Sequence, residues 1–264
     1  MPKLVNKTFS SLKTEGLIKT LAKIGGYTLR IYPFSIIKQR SFKKNILTLK
    51  NIEDRFTEIY KRNYWGSKES FSGSGSTISY TRNLREKLPE LFKALSVKTL
   101  FDAPCGDFNW MRHVLKENNL EYIGGDIVLP LIESHNSKYK NSKTKFIHID
   151  LTKEKLPDAD LMICRDCLFH LSFQDTKLVM QNFIDSKIPY LLTTTHINNK
   201  DFENSDITTG DYRPIDLFSA PYYFPLDVLF RIEDWKEPEP KREMCLWTKE
   251  QVIYALEKFK GNSV

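Results

Sequence analysis

The sequence predicts an α/β protein with a doubly wound, mostly parallel sheet and an N-terminal helical extension. Two observations lead to this prediction. From about residue 97 onward, short apolar runs alternate with segments of helical periodicity, and the first 50 residues differ sharply in charge from the rest. The chain has 264 residues, of which 41% are hydrophobic and 12% aromatic. This suffices for one large domain with a sizeable core.

The predicted elements follow one another in a regular order. Helices are predicted over 51–64 and from about 79 to 95, on either side of a stretch rich in Gly and Ser. Five strands follow, over 97–103, 121–128, 145–151, 160–166 and 189–197, separated by helices over 108–118, 130–139 and up to about 184. The segment 198–240 is polar and aromatic, and RIEDWKEPEPKR (231–242) is interpreted as an exposed connection. A last strand and a last helix are predicted within 244–259.

The boundary of the α/β domain is predicted at residue 78, so that 1–77 form a basic helical extension and a lid. Residues 1–50 hold eleven Lys or Arg residues and a single acid, Glu15, whereas the remaining 214 residues hold 29 basic and 32 acidic side chains. The apolar residues of this segment follow one helical face: Phe9, Leu12, Leu17, Leu21 and Ile24. Such a helix either packs on the protein with a solvated lysine face or contacts an anionic membrane surface. Binding to nucleic acid is disfavoured, because the rest of the chain carries no basic excess.

The cellular location predicted from the sequence is the cytoplasm, with peripheral membrane contact through residues 1–50 as an open alternative. No apolar run approaches the roughly 18 residues of a membrane span, and the start lacks the apolar centre of a secretion signal. Four cysteines form no disulfide framework, which fits a reducing compartment. The C-x-x-C pair of Cys164 and Cys167 has no second pair beside it and is interpreted as small buried residues.

Charged residues follow the predicted strands, at the sheet edge where ligands of such folds bind. The first strand ends in Asp102 and a PCGD turn, the second in Asp126, the third in Asp150, and the fourth in Arg165 and Asp166. An acid after the second strand is placed to accept hydrogen bonds from ribose hydroxyls. Several acids around one crevice favour a ligand with a cationic group and would repel a pyrophosphate.

The order of DAPCGD, YIGGD, HIDL and CRDCLFHL resembles class I S-adenosylmethionine-dependent methyltransferases over roughly residues 78 to 260. The resemblance implies a Rossmann-like sheet of seven strands and S-adenosylmethionine as cofactor. It implies that Asp102 and Gly106 hold the methionine part, Asp126 the ribose, and Asp150 with Leu151 the adenine. Pro104 stands where the family usually has its first glycine. The full predicted cofactor-binding set is Asp102, Pro104, Gly106, Asp107, Trp110, Asp126, Ile127, Asp150, Leu151 and Arg165.

Three residues are candidates for catalysis: Asp166, His170 and His196. A histidine near the acceptor could remove a proton from a hydroxyl or amine, although His170 could equally be a packing or capping residue. The three side chains could also form an incomplete metal set, but we predict no metal. The SGSGS stretch at 72–76 has two interpretations. It is either a flexible linker or a lid whose amides meet the cofactor carboxylate, with Trp65 nearby.

The acceptor site is predicted within 198–240, with Tyr212, Arg213 and Tyr222 as substrate-binding residues. Aromatic walls suit sugar rings, and an arginine could pair with a phosphate or carboxylate. The alternative is an ordinary aromatic loop packed on the sheet.

The predicted function is methyl transfer to an oxygen or nitrogen of a small acceptor. The combination of SGSGST and DAPCGD also resembles small bacterial methyltransferases of capsule and surface-polysaccharide pathways. This implies a sugar, nucleotide-sugar, phosphorylated or phosphoramidate acceptor. The alternatives are an RNA or protein methyltransferase and a non-catalytic module that binds the cofactor. The fourth strand ends in RDCL and not in Asn/Asp-Pro-Pro-Tyr/Phe, which disfavours amino methylation of nucleic acid.

Overall fold

The computed structural model describes residues 43–65 and 67–261. The chain divides into two units, residues 1–48 and residues 49–264, so this division falls earlier than the boundary predicted at residue 78. In the first unit, residues 43–47 are helical. The predicted basic amphipathic helix lies outside the described residues.

The second unit contains a mixed sheet of seven strands in the order β3-β2-β1-β4-β5-β7-β6. Strands β1 to β5 run parallel, and β7 is antiparallel to both β5 and β6. This confirms the predicted α/β class with a mostly parallel, Rossmann-like sheet. The strands are β1 Thr99–Asp102, β2 Glu121–Asp126, β3 Thr144–His148, β4 Leu161–Cys164, β5 Tyr190–His196, β6 Phe230–Glu233 and β7 Arg242–Thr248.

The described residues of the second unit contain six α-helices. They are α1 Ile52–Lys61, α2 Arg82–Ala94, α3 Met111–Glu117, α4 Leu129–Tyr139, α5 Phe173–Asp185 and α6 Lys249–Gly261. Short 3₁₀ turns occur at Ser74–Ser76 and Leu168–His170. The helix predicted to follow the fourth strand therefore begins only at Phe173, where Ser172 caps it by accepting a hydrogen bond from the Asp175 amide.

Alternate residues of the central strands enter two separate apolar layers, which is why the sheet is covered on both faces. Phe101 of β1 packs with α5 and α6, whereas its neighbour Leu100 packs with α2, α3 and α4. The same alternation separates Leu191 from Leu192 in β5. These near-continuous apolar runs fix the strand ends, and thereby the polar residues that follow them.

The interpretation of residues 231–242 as an exposed connection was wrong. Residues 230–233 form the edge strand β6, in which Ile232 is buried, and the following Asp234 is also buried. An edge strand pairs with one neighbour only, and three of the four residues of β6 are partly or fully exposed. Its sequence is therefore charged and lacks the apolar run that identified the other strands.

No helix among the described residues is both long enough and apolar enough to cross a bilayer.

Truncation of Phe183 on α5 should destabilise the fold. Its ring is fully buried in the layer shared with α6, so Phe183→Ala should lower the free energy of unfolding by about 3–5 kcal/mol. Leu178→Ala on the exposed side of the same helix is the matched control and should cost less than about 1 kcal/mol. Urea denaturation followed by circular dichroism measures both. Equal losses for the two variants would contradict the assignment of the core.

Candidate functional site

A cavity of about 300 Å³ opens at the carboxyl ends of β1, β2 and β4. Its walls come from residues at or after the ends of these strands, from one face of α1, and from residues 70–76, which we call the roof segment. The position agrees with the general rule that parallel sheets bind ligands beyond the carboxyl ends of their strands.

Hydrogen bonds of the Gly106 backbone amide and carbonyl hold the PCGD turn after β1 in place. The Gly106 amide donates to Asp126 Oδ2 at 3.0 Å, and its carbonyl accepts from His135 Nε2 at 2.8 Å. Gly106 has a left-handed backbone (φ +54°), and a Cβ atom at this position would lie 2.3 Å from Ser72 Oγ. The single glycine of the turn is therefore required where the roof segment crosses it.

The roof segment is fastened to the PCGD turn by Asp107. The Asp107 amide donates to Ser72 Oγ at 2.9 Å, and the Phe71 amide donates to Asp107 Oδ2 at 2.8 Å. On the far side, Asn109 Nδ2 donates to the Ser76 carbonyl at 3.1 Å. The segment thus lies over the cavity in a defined conformation. That its amides meet a ligand carboxylate remains a prediction.

Arg165 ties the roof segment to two strands. It forms a bidentate pair with Asp234 after β6, with Nε–Oδ2 and Nη2–Oδ1 distances of 2.7 and 3.0 Å. Its Nη2 also donates to the Gly75 carbonyl at 2.7 Å, and its Nη1 lies 3.3 Å from Asp166 Oδ2. Because most of its donors are committed to these partners, Arg165 positions the walls of the cavity.

Burial raises the pKa values of the two acids at the ends of β1 and β2. The pKa of Asp102 is raised to about 7 although Tyr122 donates a hydrogen bond to Oδ2 at 2.7 Å. The pKa of Asp126 is raised to about 6 although the amides of Val128 and Gly106 donate to it. Both acids are therefore poised to lose a proton when a cation approaches.

Asp150 differs from these two acids. Burial acts to raise its pKa, but hydrogen bonds from Lys153 and from Thr152 outweigh burial and lower the pKa. It follows β3 by two residues and lines the cavity with its neighbour Leu151. Asp150 therefore stays ionised at lower pH than Asp102 and Asp126.

Asp166 lies between two arginines. Its Oδ2 is 3.0 Å from Arg242 Nη2 and 3.3 Å from Arg165 Nη1. Burial opposes ionisation of this carboxyl, but the two guanidinium groups hold its pKa below the usual range. The residue has a left-handed backbone (φ 52°), and its amide donates to Thr194 Oγ1 at 2.9 Å, which directs the carboxylate toward the arginines.

The two candidate histidines have opposite tautomers. His170 Nδ1 lies 2.7 Å from the Asp211 carbonyl and must donate, which leaves Nε2 with a lone pair. His196 Nδ1 instead accepts from the Ile215 amide at 3.1 Å, so its hydrogen is on Nε2. Burial lowers the pKa of both rings, that of His196 to about 4. His170 lines the cavity and His196 is buried beneath it, so His170 is the ring that presents a lone pair.

All ten residues predicted to bind a cofactor line this cavity, together with Asp166, His170 and Tyr212. The predicted substrate-binding pair lies elsewhere: Arg213 donates to the Tyr222 hydroxyl at 2.6 Å, and both side chains are buried. Within the described residues, no group of three or more His, Cys, Asp or Glu side chains could hold a metal ion. The set formed by Asp166, His170 and His196 is therefore not a metal site.

Sequence reasoning missed several residues that shape the cavity. Asp234 was assigned to an exposed connection, and Arg242 to the same stretch, whereas both belong to the ion-pair network around Asp166. Phe56 and Tyr60 of α1 line the cavity as well. The α1 pattern was visible as an amphipathic helix, but no signal in the sequence indicated which part of the molecule that helix faces.

Comparison with known proteins gives likeness in structure only. No family model matches the sequence, and no curated protein matches it. Among solved structures, 1,6-didemethyltoxoflavin-N1-methyltransferase of Burkholderia thailandensis, crystallised with its substrate and S-adenosylhomocysteine, is similar with a TM-score of 0.52 and 14% identity. The match covers 75% of this chain and 86% of that one.

Magnesium protoporphyrin IX methyltransferase of Synechocystis PCC 6803, with bound S-adenosylhomocysteine, has a TM-score of 0.51 and 10% identity. It matches over 73% of this chain and 93% of that one. The methyltransferase domain of bacterial CtHen1 has a TM-score of 0.50 and 12% identity, over 64% and 98% of the two chains. These likenesses show that the chain has the fold of class I methyltransferases.

Substitution of Asp102 should change how stability depends on pH. Between about pH 4 and 7 the folded state keeps a proton on Asp102 that the unfolded state has lost, so this acid lowers stability as pH rises. Asp102→Asn removes that effect and should match wild type near pH 4 and exceed it at pH 8, by up to about 4 kcal/mol. Denaturant titrations at both pH values measure this. The control is Asp158→Asn at an exposed acid, whose stability should depend on pH as that of wild type does. The same pH dependence in Asp102→Asn as in wild type would contradict the burial of the Asp102 charge.

Addition of a methyl group at Gly106 should dislodge the roof segment. Gly106→Ala places Cβ against Ser72 Oγ and strains a left-handed backbone, so residues 70–76 should exchange amide hydrogen faster by at least about tenfold. Ser72→Ala removes the clashing oxygen, so the double variant should recover part of the protection. Hydrogen exchange with mass spectrometry reads out the segment directly. Unchanged exchange in Gly106→Ala would contradict the close contact.

Proposed function

We propose that this protein is an enzyme that transfers a methyl group from S-adenosylmethionine to an oxygen or nitrogen of a small acceptor. The observation that carries the proposal is the placement of Asp102, Asp126 and Asp150. Each follows one of three neighbouring parallel strands, and all three line one cavity beneath the roof segment. The fold is that of class I methyltransferases, which supports the proposal.

The charges around the cavity fit a cationic ligand without phosphates. The two arginines that line it, Arg165 and Arg242, are paired with Asp234 and Asp166 and leave no excess positive charge for a pyrophosphate. Asp102 and Asp126 have raised pKa values, and a nearby ammonium or sulfonium group would favour their charged forms. S-adenosylmethionine carries both cations and, when bound, would supply an electrophilic methyl group.

Asp126 has acceptor capacity left for a ribose. Its oxygens accept the amides of Gly106 and Val128, and the amide of Ile127 also favours the charged form. A carboxylate has four lone pairs, so acceptor capacity remains for a ribose hydroxyl. Apolar side chains of the cavity lining offer contacts for a purine: Phe56, Ile127 and Leu151.

The residues of this chain would act mainly by positioning. Transfer of a methyl group to a good nucleophile needs alignment of the reacting atoms and exclusion of water. The roof segment is held by Asp107 and Arg165 and covers the cavity. It would therefore help to align the reacting atoms and to exclude water.

The acceptor proposed here is a small molecule, and we favour a sugar of surface-polysaccharide biosynthesis. The sequence resemblance to small bacterial methyltransferases of those pathways supports this choice, and Tyr212 offers an aromatic wall at the cavity. A nucleotide-sugar is the second choice, because its pyrophosphate would meet the same lack of excess positive charge. The phosphorylated and phosphoramidate acceptors lose support, because Arg213 is buried against Tyr222. Peripheral membrane contact through residues 1–50 stays part of the proposal on the basis of their charge.

Calorimetric titration with S-adenosylmethionine and S-adenosylhomocysteine tests the cofactor. Wild type should show saturable binding, and Asp126→Ala should weaken it at least about tenfold, because a hydrogen bond from the ribose to a charged acceptor is lost. Asp126→Asn, which keeps one acceptor oxygen for the turn, guards against collapse of the PCGD loop. Asp158→Ala, an exposed acid, is the control and should bind like wild type.

Two outcomes would overturn the proposal. Failure of wild type to bind either compound would mean that the cavity is not a cofactor site. Equal affinity in wild type and in both Asp126 variants would mean that binding occurs elsewhere on the chain.

A further inference from the structure

Five residues of the cavity lining form a group of their own: Trp65, Asp166, His170, Tyr212 and Arg242. The His170 ring lies beside the rings of Trp65 and Tyr212, and Asp166 pairs with Arg242. We call this group the inner end. The proposed cofactor uses the acids of the first three strands, so the inner end is left for the acceptor. The inference drawn here rests on the proposed function and deepens it by naming the acceptor class and the base.

The Nε2 atom of His170 can accept a proton at the inner end. Its Nδ1 is fixed by the Asp211 carbonyl at 2.7 Å, so the lone pair is on Nε2. The ring lies beside the side chains of Trp65, Phe169 and Tyr212, with centroid distances of 5.6, 4.6 and 5.9 Å. Burial lowers the pKa of the ring, which keeps it neutral and able to accept at neutral pH.

Two of the charged groups that face His170 stabilise the protonated form of its ring. Asp166 and Asp211 both raise the pKa of the ring, whereas Arg213 lowers it. The neighbouring His196 has its own pKa lowered to about 4, so it stays neutral and does not compete for the proton. An imidazolium formed at His170 would therefore lie near the carboxylate of Asp166.

The fixed charges of the inner end cancel. Arg242 and Arg165 are both paired with Asp166, and Asp234 pairs with Arg165. Glu239, which also lines the cavity, accepts a hydrogen bond from Ser74 Oγ at 3.3 Å and adds a further negative charge. A phosphate or carboxylate would meet no uncommitted cation among the described lining residues, so an anionic reacting group is disfavoured.

We propose that the inner end takes an uncharged hydroxyl compound with a ring that packs against Trp65 and Tyr212, and that His170 Nε2 removes the hydroxyl proton. The acceptor oxygen forms its bond to the methyl carbon with the electron pair of the broken O–H bond. The pair of the broken carbon–sulfur bond stays on sulfur, and the proton ends on His170. A hydroxyl needs such a base whereas a neutral amine does not, so the product is an ether.

The tautomer can be measured without knowledge of the acceptor. Long-range ¹H–¹⁵N NMR of the complex with S-adenosylhomocysteine should show His170 with hydrogen on Nδ1 and a pKa below that of an exposed histidine. His196 provides an internal reference and should show hydrogen on Nε2. A His170 ring that carries hydrogen on Nε2, or that is an imidazolium at pH 7, overturns the assignment of the base.

The acceptor class is tested with three matched probes: phenyl β-glucoside, the corresponding 2-amino sugar, and phenyl β-glucoside 6-phosphate. Phenyl β-glucoside should bind the S-adenosylhomocysteine complex and receive a deuterated methyl group on oxygen, and the 6-phosphate should bind at least about tenfold more weakly. Absence of binding by the neutral glycoside, or methylation of the amine alone, overturns the acceptor class.

His170→Asn tests the role of the ring, because the shorter amide can still donate to the Asp211 carbonyl. The turnover number on the glycoside should fall by about 10²–10⁴, with the affinity for S-adenosylhomocysteine unchanged and the decline of wild-type activity at acidic pH absent. His113→Asn on α3 is the control. Full activity in His170→Asn overturns the proposal, whereas loss of cofactor binding by wild type would instead reject the proposed function.

Discussion

Arg165 and Asp234 form a bidentate ion pair in the interior, and the cavity is arranged around it. Through this pair, the residue after β4 holds the residue after β6, and the same guanidinium holds the Gly75 carbonyl of the roof segment. Transfer of two charges from water to the interior costs free energy. The pair is stable because its hydrogen bonds have good geometry and offset this cost. Removal of either partner would leave a charge buried without compensation, and the roof would lose its attachment to the sheet.

The same pair also affects the distribution of charge in the cavity, which is lined by several acids and two arginines. The positive side chains Arg165 and Arg242 are each in contact with an acid, Asp234 and Asp166 respectively. Among the described residues, the acids at the ends of β1 and β2 have no basic partner in direct contact and are buried, which raises their pKa values. One end of the cavity is therefore suited to a cation and the other to an uncharged group.

Much of this arrangement was predictable from the sequence, because it depends on local patterns. Buried parallel strands give apolar runs, so the residues that follow them, such as Asp102 and Asp126, could be placed at one edge of the sheet before the structure was known. Asp234 and Arg242 could not, because their roles come from pairing between residues distant in the chain, and the edge strand before Asp234 has a charged sequence. The Ser and Gly residues at 72–76 permitted two interpretations, and only contacts with residues distant in the chain show that the segment is held in a defined conformation. The Ser72 hydroxyl, for example, accepts the Asp107 amide.

Because the pKa values of Asp102 and Asp126 are raised, uptake of the proposed cofactor would exchange protons on these acids for the cationic groups of the cofactor. In the empty site at neutral pH, part of the negative charge is already neutralised by protons on these two acids. Arrival of an ammonium and a sulfonium group would release those protons to the solvent, so the net charge of the site would change little. Release of the demethylated product, which has lost the sulfonium charge, would draw protons back. Each catalytic cycle would then move protons at the cofactor end as well as at His170.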